Sequence, residues 1–124
     1  MKTALLLLSI LSTFGACDSE KPDCTFDKIK FDLELIDEVG LRGPKDGKVL
    51  VDYEFCIPQK DAFKSEVVNI NPYINMDKYT KGRIGCSDKE WHCMGNTGSQ
   101  NYREILCALS NLDYVVEIRE VFFE

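Results

Sequence analysis

The sequence predicts an α+β fold, because segments with the two-residue period of a β-strand alternate with segments that have helical spacing. Residues 49–57 alternate apolar and polar side chains, which is typical of a strand with one buried face. Residues 61–70 instead carry apolar side chains at intervals of three and four, as an amphipathic helix does. With 124 residues, of which 44% are hydrophobic, the chain is long enough for one small domain.

The first half of the chain predicts two strands followed by a helix. Residues 29–35 alternate apolar and charged side chains, which predicts a strand with one wet face. The glycines and proline of residues 38–48 predict a loop before the second strand, 49–57. Phe63, Val67 and Ile70 share one face of the predicted helix. That helix ends at Asn71, since the residue before Pro72 avoids the helical region.

The second half predicts a hairpin, a helix and a final strand. Residues 83–86 and 91–94 flank a polar turn, which is the pattern of a short β-hairpin. Asn101 with Glu104 has the spacing of a capping box at the start of a helix. Residues 114–123 are rich in β-branched and aromatic side chains and predict the last strand.

The order of predicted elements is β-β-α-β-β-α-β. Without its first strand, this order is similar to the ferredoxin-like β-α-β-β-α-β arrangement. The resemblance implies two helices on one face of an antiparallel sheet, with an extra N-terminal strand at an edge. It implies no function, because such folds host many unrelated activities.

The charge balance excludes some classes of function. The chain has 15 Lys+Arg against 21 Asp+Glu, a formal net charge of −6. A nucleic-acid partner is not expected, since phosphate contacts require a basic surface. A transmembrane bundle is not expected either, since no apolar run reaches the about 20 residues that span a bilayer.

The N-terminal segment has the features of an export signal. Lys2 precedes an apolar run within residues 1–16 that is too short to span a membrane. The segment from Thr13 to Cys17 resembles a relaxed bacterial lipobox, with Phe14 where leucine is usual. The resemblance implies that Cys17 is acylated and anchors an envelope protein facing the periplasm or the cell surface. Ordinary secretion of a soluble protein is the alternative.

The predicted domain organisation follows from this signal. Residues 1–16 are predicted to be removed, and residues 17–27 to form a polar tether after the lipidated cysteine. Residues 28–124 are predicted to form a single small α+β domain. The lipid anchor is the only expected contact with the membrane.

Cysteine usage in an exported chain favours disulfides. If Cys17 carries lipid, five cysteines remain as disulfide candidates, and one of them has no intramolecular partner. Cys86 and Cys93 would face each other in the predicted hairpin, which makes them the preferred pair. Cys24 in the tether can reach either Cys56 or Cys107.

Two classes of function fit these observations. The first is a non-catalytic interaction protein, for example an inhibitor or immunity protein whose acidic domain binds a basic protein partner. Catalysis is not expected, because His92 is the only histidine and its strand neighbour Cys93 points to the opposite face. The second class binds copper or zinc, or is thiol-active, through soft side chains. Its candidate residues are Cys56, Cys86, His92, Cys93 and Met94. No cofactor is predicted, since the chain lacks the paired short spacings of a structural metal site.

Overall fold

The computed structural model describes residues 23–122, and it confirms the α+β class. Two helices, α1 (Asp61–Ile70) and α2 (Tyr102–Ser110), accompany two antiparallel sheets. The six strands are β1 (Leu41–Arg42), β2 (Val49–Leu50), β3 (Asp52–Pro58), β4 (Asn75–Asp77), β5 (Glu90–Asn96) and β6 (Arg119–Glu120). No helix among residues 23–122 has the length and apolar content to cross a membrane.

The larger sheet has the strand order β4-β5-β3-β6, and all its neighbouring strands are antiparallel. Its two long central strands, β3 and β5, pair along their whole length from Asp52 opposite Asn96 to Pro58 opposite Glu90. The strands β1 and β2 form a separate short hairpin. The finer ferredoxin-like arrangement stays a prediction.

One face of the larger sheet carries the hydrophobic core. Tyr53, Phe55 and Ile57 alternate along β3 and are buried together with apolar side chains of both helices. Val67 from α1 and Leu106 from α2 are fully buried in the same cluster. The opposite face therefore receives the even-numbered residues of β3, because successive side chains of a strand point to opposite sides.

The predicted strand over residues 29–35 does not form. Only Ile29 makes an isolated parallel bridge, to Ile118, and Leu33–Leu35 is a 3₁₀ turn. The cause is local, since the Asp32 carboxylate accepts a hydrogen bond from the Glu34 backbone N–H and turns the chain. Within residues 29–35 only Ile29 is buried, and the next buried side chain, Ile36, follows the segment.

One other prediction about local structure is wrong, and two are confirmed only in part. Residues 83–86 form no strand, and β5 pairs with β4 instead of with them. Asn101 is the N-cap residue of α2 as predicted, but its side chain makes no capping hydrogen bond. The final strand is confined to Arg119–Glu120, because the chain turns at Leu112 and sends Val115 and Ile118 into the core.

Candidate functional site

A disulfide fastens the connection between β4 and β5 across the even-numbered face of β3. Cys56 in β3 is bonded to Cys86, 30 positions later in the chain. Cys86 belongs to residues 78–89, which we call the cover loop. The loop also donates a hydrogen bond from the Ile84 backbone N–H to the Glu54 carboxylate at 3.1 Å. The face that the two helices leave free is thus covered in part by irregular chain.

A buried pair of ionisable side chains lies beneath the cover loop. Glu54 and His92 are 2% and 5% exposed, and the His92 Nε2 atom lies 3.0 Å from the Glu54 Oε1 atom. They stand on neighbouring strands, with Glu54 paired with Met94 and His92 paired with Cys56. Buried ionisable groups require such partners, because an unpaired one loses its hydration without compensation.

The cover loop approaches this pair at a glycine. Gly82 has φ of 64°, in the left-handed region that disfavours side chains. A Cβ atom at this position would lie closer than 3.0 Å to both His92 Nε2 and Glu54 Oε1. The loop therefore closes over the pair only with glycine here.

The hydrogen bonds of the pair within residues 23–122 are to each other and to the Ile84 backbone N–H, and none is to a hydroxyl or thiol. A carboxylate–imidazole pair activates a nucleophile when a hydroxyl or thiol lies within hydrogen-bond reach. The cysteine beside His92 in the strand register is Cys56, and its sulfur is bonded to Cys86. We therefore interpret the Glu54–His92 pair as an element that orients the cover loop.

The predicted Cys86–Cys93 disulfide is wrong. Cys93 is the free cysteine of residues 23–122, and it lies fully buried in the core on the odd-numbered face of the sheet. Cys86 lies on the other side of the sheet with Cys56. Burial raises the pKa of the Cys93 thiol to about 12, so the thiol stays protonated at neutral pH. An unpaired cysteine of this kind is a packing residue and not a nucleophile.

A second disulfide fixes the N-terminal segment on α2. Cys24 is bonded to Cys107, which is one of the two partners expected for it. Next to the bridge, the Thr25 backbone N–H and side-chain hydroxyl both donate to the Asn111 Oδ1 atom, at 3.0 and 2.9 Å. Residues 23–27 of the predicted tether are therefore attached to the domain. Cys17 lies outside the described residues.

The predicted soft-metal ligands do not converge. Cys86 is bonded to Cys56, Cys93 points into the core, and His92 faces Glu54 on the opposite side of the sheet. Across residues 23–122, no three His, Cys, Asp or Glu side chains lie close enough to share a metal ion. Met94 follows on β5, where it is paired with Glu54 and not with another sulfur ligand.

A groove on the helical side combines aromatic and acidic side chains. The rings of Phe63 and Tyr114 stack with centroids 3.8 Å apart and planes 15° apart. Glu66 and Asp113, both exposed, line the same groove, which has a volume of about 500 Å³. We call it the aromatic–acidic groove. Only the tertiary structure joins these residues, since Phe63 and Glu66 lie on α1 and the other two follow α2.

The electrostatics of the groove favour a positive charge. Burial and the negative charge of Glu66 raise the pKa of the Tyr114 phenol to about 12, so it stays protonated. The Lys60 ammonium already lies 5.2 Å from the centre of the Phe63 ring, within the range of a cation–π contact. The aromatic–acidic groove thus combines aromatic surface with carboxylates, beside a cation–π contact that the protein makes with its own Lys60.

Some of these residues stand out in the sequence for other reasons. Phe63 was expected on the apolar face of α1, and His92 was a candidate ligand in the alternative, metal-binding class of function. The strand period of β3 placed Glu54 on a wet face, whereas the cover loop buries it. A usable signal was present for Cys93, because alternation along β5 puts it in phase with Trp91 and out of phase with His92.

No protein-family model matches this chain, and no curated protein or solved structure shows a significant similarity to it.

Proposed function

We propose that this chain is an exported, lipid-anchored interaction protein without catalytic activity, and that it binds a basic protein partner. The observation that carries the proposal is the aromatic–acidic groove, in which two carboxylates flank a stacked ring pair. A lysine or arginine side chain of the partner would contact a ring face and both carboxylates together. The two disulfides independently indicate a location outside the cytoplasm.

The net charge of −6 supports the same class of partner. Complementary charge speeds diffusional encounter and disfavours acidic competitors. The stacked rings add a cation–π contact to the partner's basic side chain. Salt screens this contact less than it screens the attraction to the exposed carboxylates, because cation–π attraction strengthens when the cation is desolvated. The affinity for the basic partner should therefore fall at high salt, but binding should remain measurable.

The two disulfides support the more specific role of an inhibitor or immunity protein. The Cys24–Cys107 bridge holds the N-terminal segment on α2, and the Cys56–Cys86 bridge holds the cover loop on the sheet. A surface stiffened in this way loses less conformational entropy when a partner binds. Acylated Cys17 would keep the protein at the envelope, where secreted cationic enzymes act.

Binding to a synthetic peptide rich in lysine and arginine tests the groove. In the test variant, Glu66→Gln is combined with Asp113→Asn. A matched control combines Glu38→Gln with Asp46→Asn, which removes the same charge from exposed positions elsewhere. Two exposed charge contacts of about 0.2–1 kcal/mol each predict affinity about 2- to 30-fold weaker in the test variant. Equal weakening in both variants would contradict a localised site.

The anchor is tested separately on the full-length chain. Wild-type protein should incorporate a labelled fatty acid and partition with membranes, whereas a Cys17→Ser variant should do neither. Intact-mass measurement with and without alkylation should find two disulfides in the mature protein. Three intramolecular disulfides would contradict acylation of Cys17, since all six cysteines would then be consumed.

A further inference from the structure

A lysine stands immediately before helix α1, at a position where the helix itself disfavours one. Lys60 is the N-cap residue of α1, and its side chain makes no capping hydrogen bond. Short polar side chains are preferred at an N-cap, because their oxygens accept from the unpaired backbone N–H groups of the first turn. A positive charge is also unfavourable there, because the N-terminus of a helix carries a partial positive charge of its own. The stability of α1 therefore gives no reason for this lysine.

The Lys60 ammonium contacts an aromatic ring of the same helix. Its Nζ atom lies 5.2 Å from the centre of the Phe63 ring, within the range of a cation–π contact. The Tyr114 ring stacks on Phe63 with centroids 3.8 Å apart. Because a ring stacked so closely leaves no room for an ammonium on the same face, Lys60 covers the other face. The protein itself therefore occupies both faces of the Phe63 ring.

Phe63 is also part of the aromatic–acidic groove, which it lines together with the exposed side chains of Glu66 and Asp113. A cation of a bound partner that reaches the Phe63 ring meets Lys60 there. Two positive charges a few ångströms apart repel each other, and two ammonium groups do not fit on one face of a ring. Contact between the partner's cation and Phe63 thus requires Lys60 to leave the ring.

We propose that Lys60 is an internal competitor of the basic partner, a role that rests on the proposed function of the groove. The partner's basic side chain takes the place of the Lys60 ammonium on Phe63, by the same cation–π attraction. The free energy of the Lys60–Phe63 contact is then subtracted from the free energy of binding. The exchange favours a partner whose cation also contacts Glu66 and Asp113, because those contacts outweigh the one that is given up. Lys60 therefore determines how tightly the groove binds.

Substitution of Lys60 tests this competition and leaves the helix contacts of the residue in place. These contacts are made by its backbone carbonyl oxygen, which accepts from the Phe63 N–H at 3.0 Å and the Lys64 N–H at 3.1 Å. Lys60→Gln removes the charge, and Lys60→Asn also supplies a preferred N-cap side chain. Lys64→Gln is the matched control. It removes the same charge from the same helix, but the Lys64 ammonium lies over the Trp91 ring, 5.6 Å from its centre.

Titration of the mature full-length protein with the peptide rich in lysine and arginine measures the effect. Both Lys60 variants should bind the peptide about two- to fivefold more tightly than the Lys64→Gln control, which is the value of one exposed cation–π contact. Proton NMR of the wild type follows the displacement directly. The ε-protons of Lys60 lie over the Phe63 ring, whose ring current moves their resonance upfield. This resonance should return to the ordinary lysine position as the peptide saturates the groove.

The outcomes separate this proposal from the proposed function. The competition is overturned, and the proposed function stands, in either of two cases. In the first, wild type binds the peptide through Glu66 and Asp113 but the Lys60 variants bind no more tightly than the control. In the second, the Lys60 resonance stays upfield at saturation. If no variant binds the peptide, both are overturned.

Thermal unfolding provides an independent check on the position of Lys60. Lys60→Asn should raise Tm above that of wild type, because it replaces an unfavourable N-cap residue with a preferred one. A lower Tm would show that the lysine stabilises α1, and that result would overturn its assignment as a competitor.

Discussion

Replacing Glu54 with leucine should destabilise the protein strongly, although Glu54 is a charged residue on a sheet face that looks solvated in the sequence. The substitution keeps a side chain of similar size but removes both interactions of the Oε1 atom, with Ile84 N–H at 3.1 Å and His92 Nε2 at 3.0 Å. Hydrogen bonds to a charged group contribute about 1.5–3 kcal/mol each, so two of them predict a loss of about 3–6 kcal/mol.

Urea unfolding of the oxidised protein measures this loss. Trp91 is the only tryptophan and lies next to His92 on β5, so its fluorescence reports on this part of the sheet. We expect Glu54→Leu to lower the free energy of unfolding by about 3–6 kcal/mol. The exposed control Glu38→Gln should change it by no more than about 0.5 kcal/mol.

A double-mutant cycle separates the pair from other effects of the substitution. Glu54→Leu with His92→Leu removes both members of the pair, so the double variant should lose less stability than the sum of the single variants. Direct contacts of this kind give coupling energies of about 0.5–3 kcal/mol. A loss below about 1 kcal/mol for Glu54→Leu, or additive single variants, would refute the role assigned to the pair.

The remaining predictions concern the cover loop and the free thiol. Replacing Cys56 and Cys86 with alanine removes a disulfide between residues that are 30 positions apart. Loop-closure entropy predicts that the free energy of unfolding, measured in urea, falls by about 3.6 kcal/mol. A fall below about 1 kcal/mol would argue against the disulfide. Cys93 should resist alkylation at pH 8 in the native protein and react once urea unfolds it, whereas rapid native labelling would contradict its burial. Because folding raises the pKa of this thiol from 9.0 to about 12, the folded state retains the proton that the unfolded state releases. Stability should therefore fall by up to about 1.4 kcal/mol per pH unit between about pH 9 and pH 12, and the Cys93→Ala variant should lack this component in alkaline melts. Gly82→Ala should lower the free energy of unfolding by about 1–3 kcal/mol, because the new Cβ would overlap the buried pair and φ is positive there. The control Gly47→Ala should be tolerated, because its Cβ would meet no atom closer than 3.6 Å.

Elements whose signals are local were predicted well. Helix α1 begins at Asp61 and ends at Ile70, as its apolar spacing and Pro72 predict. The strand β3 covers most of the predicted 49–57 segment, because its alternation satisfies one buried face. Such signals depend on neighbours a few residues apart, and the sequence displays them directly.

Elements whose partners are distant were predicted poorly. Residues 29–35 alternate as a strand does, yet Asp32 turns the chain, and Ile29 makes only a single bridge to Ile118. Residues 83–86 resemble half of a hairpin, yet they belong to the cover loop that the disulfide at Cys86 holds across the sheet. In both cases, a segment that was predicted to be a strand makes its contacts elsewhere in the fold.

The sequence alone determined the α+β class, the acidic charge and a cysteine content suited to an oxidising compartment, because these depend on local spacing and on counts. Only the tertiary structure decided which cysteines bond, that Glu54 is buried against His92, and that Phe63 and Tyr114 meet in a groove. The physical reason is that burial and pairing arise between residues far apart in the chain. A period of two tells which side chains share a face, but the chain that covers that face is determined by the whole fold.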